Sequence, residues 1–477
     1  MSEHDLDVAI LGAGTAGMTA YRQARKYTGR VALIDGGTLG TTCARVGCMP
    51  SKLLIAAANA RHEAQQAGPF GLEVGDVGVD GRAVMKRVRE ERDRFVGFVR
   101  DALEGFDQSN IIRQNARFAD NNTLVLEDGS KLTARATVIA TGSRPHIPEP
   151  FEVAGDRLIT NDDLFDREDL PASVAVFGAG VIGLELGQAL HRLGVRVRLF
   201  ELGDNVGAIT DPDMRACAQE VLGAGFPALW NAETEIDRDG DEIVVTWTAG
   251  GKRGEERFDY ILAATGRRPN LDRLGLENTT VEVNDHGIPL YDRQSMRAGD
   301  CPIYIAGDAA ADLPLLHEAA DEGRIAGENA AHFPESYRKT RRVPLSIVFS
   351  DPQIAVAGES HADLTARDAA FRIGSVWFED QGRARVMRVN QGLLRVYGCE
   401  KTGLLLGAEM FGPAAEHIGH LLSWVIADHL TVEEILDRPF YHPVIEEGVR
   451  TALRNLNTAL GFAPPPPARS IDCGPGG

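Results

Sequence analysis

One signature occurs twice in this chain, and the duplication limits its fold more than any other feature. DVAILGAGTAGMTAYRQARKYTGRVALID runs from Asp7 to Asp35, and SVAVFGAGVIGLELGQALHRLGVRVRLFE runs from Ser173 to Glu201. Each reads as an apolar strand, a glycine turn, a helix, a second strand and an acid. The turns are Gly12-x-Gly14-x-x-Gly17 and Gly178-x-Gly180-x-x-Gly183, with Asp35 and Glu201 at the same offset from the first glycine. The first glycine permits a tight turn, the second lets backbone approach a pyrophosphate, and the third lets helix and strand pack closely. The helix start offers free N–H groups to phosphate, and the acid accepts hydrogen bonds from ribose hydroxyls. A lone glycine motif is weak evidence; two complete copies in strand–turn–helix–strand–acid context are strong.

A second repeat keeps step with the first. ATVIATGSRP (136–145) and YILAATGRRPN (260–270) share a strand followed by Ala-Thr-Gly and Arg-Pro, with Gly142 and Gly266 at the turn. Each is expected to close one nucleotide-binding half. Two such halves imply two dinucleotides. At the second, the Glu201 carboxylate favours a free 2′-hydroxyl and repels a 2′-phosphate. Residues 202–206, LGDNV, hold no arginine to receive such a phosphate, so NAD(H) is expected over NADP(H).

At 477 residues the chain is too long for one core and suggests two to four domains. Its formal charge of -19 argues against a nucleic-acid or anionic-membrane partner. The acidic start enters a strand almost at once, so no signal peptide is expected. No apolar stretch of about eighteen residues reads as a membrane span. Six scattered cysteines make no disulfide framework, and the expected compartment is the reducing cytoplasm.

Within GTTCARVGCMPSK (40–52), Cys43 and Cys48 stand five positions apart. In a regular helix that spacing separates the Cα atoms by about 8.7 Å, beyond the roughly 7 Å reach of a disulfide. A bonded pair therefore needs a distorted or only starting helix. Gly47 supplies backbone freedom, and Pro50 suits a first helical turn. A thiol at a helix N-terminus has a lowered pKa, as a thiolate electron donor requires. A buried inert pair, a zinc site and a redox disulfide are the three readings. No second Cys/His pair has zinc spacing, so no metal is expected, and the glycine-rich setting favours the redox reading over the inert one.

GTTCARVGCMPSK resembles the active-site stretch of the flavin-dependent pyridine nucleotide–disulfide oxidoreductases, and three further stretches extend the resemblance from residue 5 to about 460. IYIAGDAA (303–310) is similar to the family's second flavin motif, SIVFSDPQIAVAG (346–358) to the first strands of its interface domain, and PFYHPVIEEG (439–448) to its His-Pro motif. The resemblance implies an α/β fold: two Rossmann-like dinucleotide-binding domains, for FAD and NAD, followed by an α+β interface/dimerisation domain. The implied boundaries are 1–146 (FAD, with the cysteines), 147–268 (NAD), 269–341 (return to the FAD domain), 342–463 (interface) and 464–477 (a Pro/Gly tail).

The resemblance also implies roles. Gly12, Gly14, Gly17, Asp35, Lys52, Gly142 and Asp308 would hold FAD; Gly178, Gly180, Gly183, Glu201 and Gly266 would hold NAD. Cys48 would face the flavin as a thiolate, and Cys43 would exchange with a dithiol substrate. Lys52 and Glu185 would form an ion pair near the flavin's reactive edge. His442, oriented by Glu447, would take the substrate thiol's proton, reaching the cysteines of the other subunit of a homodimer. The implied reaction oxidises dihydrolipoyl groups on a carrier protein through a Cys43–Cys48 disulfide and FAD, and reduces NAD. An NAD(P)H-dependent reductase of another small disulfide is the enzymatic alternative, and a flavoprotein electron carrier the alternative from another class.

Departures cluster beside the chemistry: Ala44 and Arg45 lie between the cysteines, and Ile445 and Glu446 lie beside the base. Glu416, His417 and His420 share a helix, which reads as a polar stripe rather than a metal site. RKTRR (338–342) reads as a solvated linker. The tail cysteine, Cys473, reads as an exposed thiol rather than an electron relay.

Overall fold

In the computed structural model, which describes residues 4–462, the chain forms two compact units. The first unit combines residues up to Leu53 with Lys86–His146 and Gly266–Arg341. Its centre is a parallel sheet in the order Ile111–Ile112, Val31–Ile34, Leu6–Leu11, Lys131–Ile139. Strand Lys131–Ile139 has two kinds of neighbour. Its first half pairs antiparallel with Thr123–Leu126 (Thr123 opposite Thr133), and its second half pairs parallel with the late strand Ile303–Ile305 (Ile303 opposite Thr137). Val8, Ala9 and Ile10 are fully buried on consecutive positions, as expected when both faces of a parallel sheet are covered. On one face, helix Thr15–Ala24 packs closely on helix Leu316–His332. Gly323 and Gly327 lie at that crossing, where an added Cβ would run into the carbonyl oxygens of Ala16 and Ala20.

The second unit repeats the parallel design. Its sheet runs Ala228–Leu229, Arg196–Phe200, Ser173–Phe177, Tyr260–Ala263, Leu158–Ile159, all parallel. An antiparallel three-stranded sheet, Glu233–Asp239 with Glu242–Ala249 and Lys252–Phe258, interrupts it before the closing strand. The rest of this unit is a five-stranded antiparallel sheet from Leu345–Val348 to Leu405–Gly412, with helices Ala415–Ala427 and Glu447–Leu460 packed on it. Ala355, Val396, Ile418, Leu422, Leu453 and Leu456 belong to the core between them. The architecture is therefore α/β with two dinucleotide-type folds and an α+β region, as expected from the sequence. Among the described residues, no helix is long and apolar enough to cross a membrane.

One expectation is corrected. RKTRR is not a solvated linker throughout. Lys339 pairs with Glu328 at 2.9 Å, and Arg341 is mostly buried against Glu318 (2.5 Å) and Glu322 (2.9 Å). A run of charges looks solvated in one dimension; its partners on helix Leu316–His332 are near enough in space to bury part of it. The expectation for Cys473 in the tail lies outside the described residues.

Candidate active site

The two glycine turns are built alike, atom for atom. Gly12 (φ 107°) and Gly178 (φ 102°) occupy left-handed backbone that residues with a Cβ rarely adopt. An added Cβ on Gly17 or Gly183 would run into the carbonyl oxygen of Gly12 or Gly178. Gly14 and Gly180 differ: an added Cβ would meet nothing within 4 Å, so the space beside the backbone is open. Both cap helices, Thr15–Ala24 and Val181–Arg192, with no side-chain bond to the first N–H groups. Open space and uncapped N–H groups are what a pyrophosphate needs.

The acids also match. Asp35 Oδ2 accepts the N–H of Ala13 at 2.6 Å, and Glu201 Oε2 accepts that of Ala179 at 2.7 Å. Their second oxygens accept from Gly37 (2.7 Å) and Gly203 (3.1 Å). The carboxylates are thus oriented by backbone before any ribose arrives. Beside Asp35 lies a cleft walled by Ala13, Leu33 and Leu103, with Arg100, Glu104 and Arg113 among its polar residues. Apolar walls next to a ribose-type acid suit the adenosine end of FAD.

The Ala-Thr-Gly arms meet. Ser143–Pro145 pairs antiparallel with Arg267–Pro269, and Gly142 (φ 68°) and Gly266 (φ 108°) turn the chain into them. Ser143 donates its hydroxyl hydrogen to Asp308 Oδ2 at 2.6 Å and accepts from Arg267 Nε at 2.8 Å. Asp308 follows Gly307, whose N–H is bonded to the buried Glu322 at 2.7 Å. The sequence singled out Asp308 but neither Ser143 nor Arg267. Their repeat was visible; that the two copies pair with each other was not.

The cysteines straddle a break between helices. Thr42–Val46 forms one short helix, Gly47 leaves helical geometry at φ −123° and ψ −117°, and Cys48 begins the helix Cys48–Gln65. Both are free thiols, Cys43 partly buried and Cys48 exposed. Its hydrogen bond to Cys48, with burial and the Cys48 charge behind it, pushes the Cys43 thiol well up. One turn on, Lys52 Nζ donates to Ser51 Oγ at 3.3 Å. In the second unit Glu185 is buried, and its Oε1 accepts the Phe349 N–H at 3.0 Å.

His442 precedes a cis peptide bond to Pro443. Its Nδ1 lies 2.9 Å and 3.1 Å from the two oxygens of Glu447. Glu447 is 3% exposed and opens helix Glu447–Leu460, and its Oε2 also accepts the Val444 N–H at 3.1 Å. A carboxylate at Nδ1 makes that nitrogen the donor and leaves Nε2 as the proton acceptor. His420 Nδ1 bonds the Glu416 backbone oxygen one turn back, and among the described residues no cluster of His, Cys, Asp or Glu could hold a metal.

A fold with two dinucleotide halves and a thiol pair at a helix start defines a class of redox flavoproteins. The chain belongs to the pyridine nucleotide-disulphide oxidoreductase family, whose profile matches residues 6–323 and whose dimerisation domain matches 344–453. It is similar to the dihydrolipoyl dehydrogenase of Haloferax volcanii, 30% identical over 96% of this chain and 97% of that one. The dihydrolipoyl dehydrogenase of Bacillus subtilis is also 30% identical, over 93% and 94%. Among solved structures, LpdA of Mycobacterium tuberculosis superposes with a TM-score of 0.79 at 26% identity, covering 94% of this chain and 99% of that one. The HOCl-induced flavoprotein disulfide reductase RclA of Escherichia coli shares the fold, with a TM-score of 0.77 at 22% identity over 96% and 100%. The protein is therefore an oxidoreductase of this family, with FAD and NAD as its cofactors.

Proposed function

We propose that this protein oxidises dihydrolipoyl groups carried by another protein in the cytoplasm and reduces NAD, working as a homodimer. The observation that carries this reading is the thiol pair, hydrogen-bonded across the break at Gly47, in a chain alignable end to end with dihydrolipoyl dehydrogenases. Cys43 exchanges with the substrate. One substrate sulfur attacks the Cys43–Cys48 disulfide at Cys43, Cys48 leaves as thiolate, and the second substrate sulfur then displaces Cys43. The substrate ends as a disulfide and the cysteines as two thiols, so atoms and electrons balance. FAD and NAD, when bound, supply the two-electron reoxidation of the cysteines.

The other residues prepare this exchange. His442 Nε2 takes the proton that each attacking sulfur must lose, and Glu447 holds the ring and stabilises its charged form. The bases that serve one pair of cysteines come from the partner subunit. Glycines 12, 14 and 17 with Asp35, Lys52, Gly142 and Asp308 hold FAD. Glycines 178, 180 and 183 with Glu201 and Gly266 hold NAD, and Lys52 and Glu185 serve the flavin's reactive edge. The division at 146, 268 and 341 assigns FAD, NAD and return segments to this scheme.

The test mixes oxidised protein with dihydrolipoamide without oxygen, then adds NAD. Reduction of the protein by the dithiol, followed by NADH formation, is the expected result. No response to dihydrolipoamide, with ready reduction by NADH, would reject the dithiol and leave a reductase of another disulfide.

A further inference from the structure

Asp308 is held through a hydrogen-bond chain whose direction is forced. Arginine has only donors, so Ser143 Oγ must accept from Arg267 Nε at 2.8 Å. A hydroxyl has one proton, and this one points to Asp308 Oδ2 at 2.6 Å. That oxygen can then only accept, and the short distance fits a charge-assisted bond. Arg267 Nη2 also donates to the Ser143 backbone oxygen at 2.8 Å, which locks the guanidinium in plane with its target. Arg267 remains 3.9 Å from Asp308 itself, too far for a direct hydrogen bond. Behind Asp308, Glu322 holds the Gly307 N–H.

The origin of these groups matters. Ser143 lies on the first Ala-Thr-Gly arm and Arg267 on the second, and the pairing of the arms brings them to Asp308. We propose that Arg267, acting through Ser143, is a positioning residue that aims the Asp308 carboxylate at the bound flavin nucleotide. The inference rests on the reading of Asp308 as a flavin contact. Oδ2 is committed to Ser143, which leaves Oδ1 as the oxygen that meets the cofactor.

The test is the dissociation constant of FAD from the apoprotein, read by flavin fluorescence, for Ser143→Ala, Arg267→Gln, Arg267→Lys, the Ser143→Ala/Arg267→Gln double variant and Asp308→Asn. Loss of a hydrogen bond to a charged group should weaken FAD binding about tenfold in Ser143→Ala and in Arg267→Gln. Because both act through one oxygen, the double variant should be no worse than the weaker single. Arg267→Lys should recover part of the loss. Two independent losses that multiply in the double variant, or unchanged binding in Arg267→Gln beside weakened binding in Asp308→Asn, would overturn the positioning role. Unchanged binding in Asp308→Asn would instead remove the reading of Asp308 as a flavin contact.

Discussion

His442 has one ring nitrogen committed and one to spare. Glu447 occupies Nδ1 with both oxygens and is itself buried and tied to the Val444 N–H, so ring orientation does not depend on substrate. His442→Gln should keep its FAD and lose at least about a hundredfold in turnover, the usual scale of general acid–base catalysis. Steady-state rates with flavin content measured alongside decide this, and near-normal turnover would sink the assignment. Glu201 carries two duties. Its carboxylate holds the Ala179 and Gly203 N–H groups, and an acid at this position of a nucleotide fold disfavours a 2′-phosphate. Glu201→Ala should therefore raise the KM for NADH and narrow its advantage over NADPH, read as kcat/KM with each nucleotide. A wild-type enzyme that prefers NADPH would overturn the premise. At this scale the sequence was legible where chemistry demands a residue type at a fixed spacing, as at Gly12, Gly178 and the acids. It was not legible where a partner is distant. Glu409, fully buried, accepts from Thr210, Asp211 and His361, and nothing in its neighbourhood in sequence signals that.

Among the elements, the helix Leu316–His332 carries the heaviest electrostatic demand. Glu318, Asp321 and Glu322 are almost wholly buried on it, and Arg341 answers all three, Glu318 and Glu322 by hydrogen bonds and Asp321 at 3.8 Å. Removing one partner of a buried ion pair leaves the other uncompensated, so Arg341→Gln should cost about 3 kcal/mol of stability. The pH dependence follows from Glu322, whose carboxyl is pushed up by burial. A raised folded pKa means the folded chain binds more protons than the unfolded chain above the ordinary carboxylate range, so this group's contribution falls as pH rises. Without the Arg341 charge that rise grows. The gap in melting temperature between wild type and Arg341→Gln should thus widen as pH is raised from the ordinary carboxylate range toward neutrality, read by thermal denaturation. A gap that narrows would mean the acids are not the source. The same helix must approach Thr15–Ala24 at Gly323, and Gly323→Ala should lose about 1–3 kcal/mol by overpacking, checked by the same melts. That glycines make its crossing possible needed the neighbouring helix in view.

For the whole molecule, duplication made the architecture legible: the same turn, acid and closing arm, twice, dictate two nucleotide folds. The C-terminal region was harder, because its five antiparallel strands pair across long separations and only the His-Pro stretch marks its chemistry. That stretch yields the sharpest prediction at this scale. If each site takes cysteines from one subunit and His442 from the other, two dead variants can repair each other. Cys48→Ser keeps its histidine, and His442→Gln keeps its cysteines. In a mixed dimer one site combines both lesions and stays dead, while the other combines the intact cysteines with the intact histidine. Random exchange of equal amounts makes half the dimers mixed, each with one live site of two, so activity should return to about one quarter of wild type. The measurement is NADH formation from dihydrolipoamide after co-refolding or co-expression of the two variants. Activity no higher than the mean of the parents, with mixed dimers demonstrated by differential tags, would place His442 and the cysteines of one site in the same subunit.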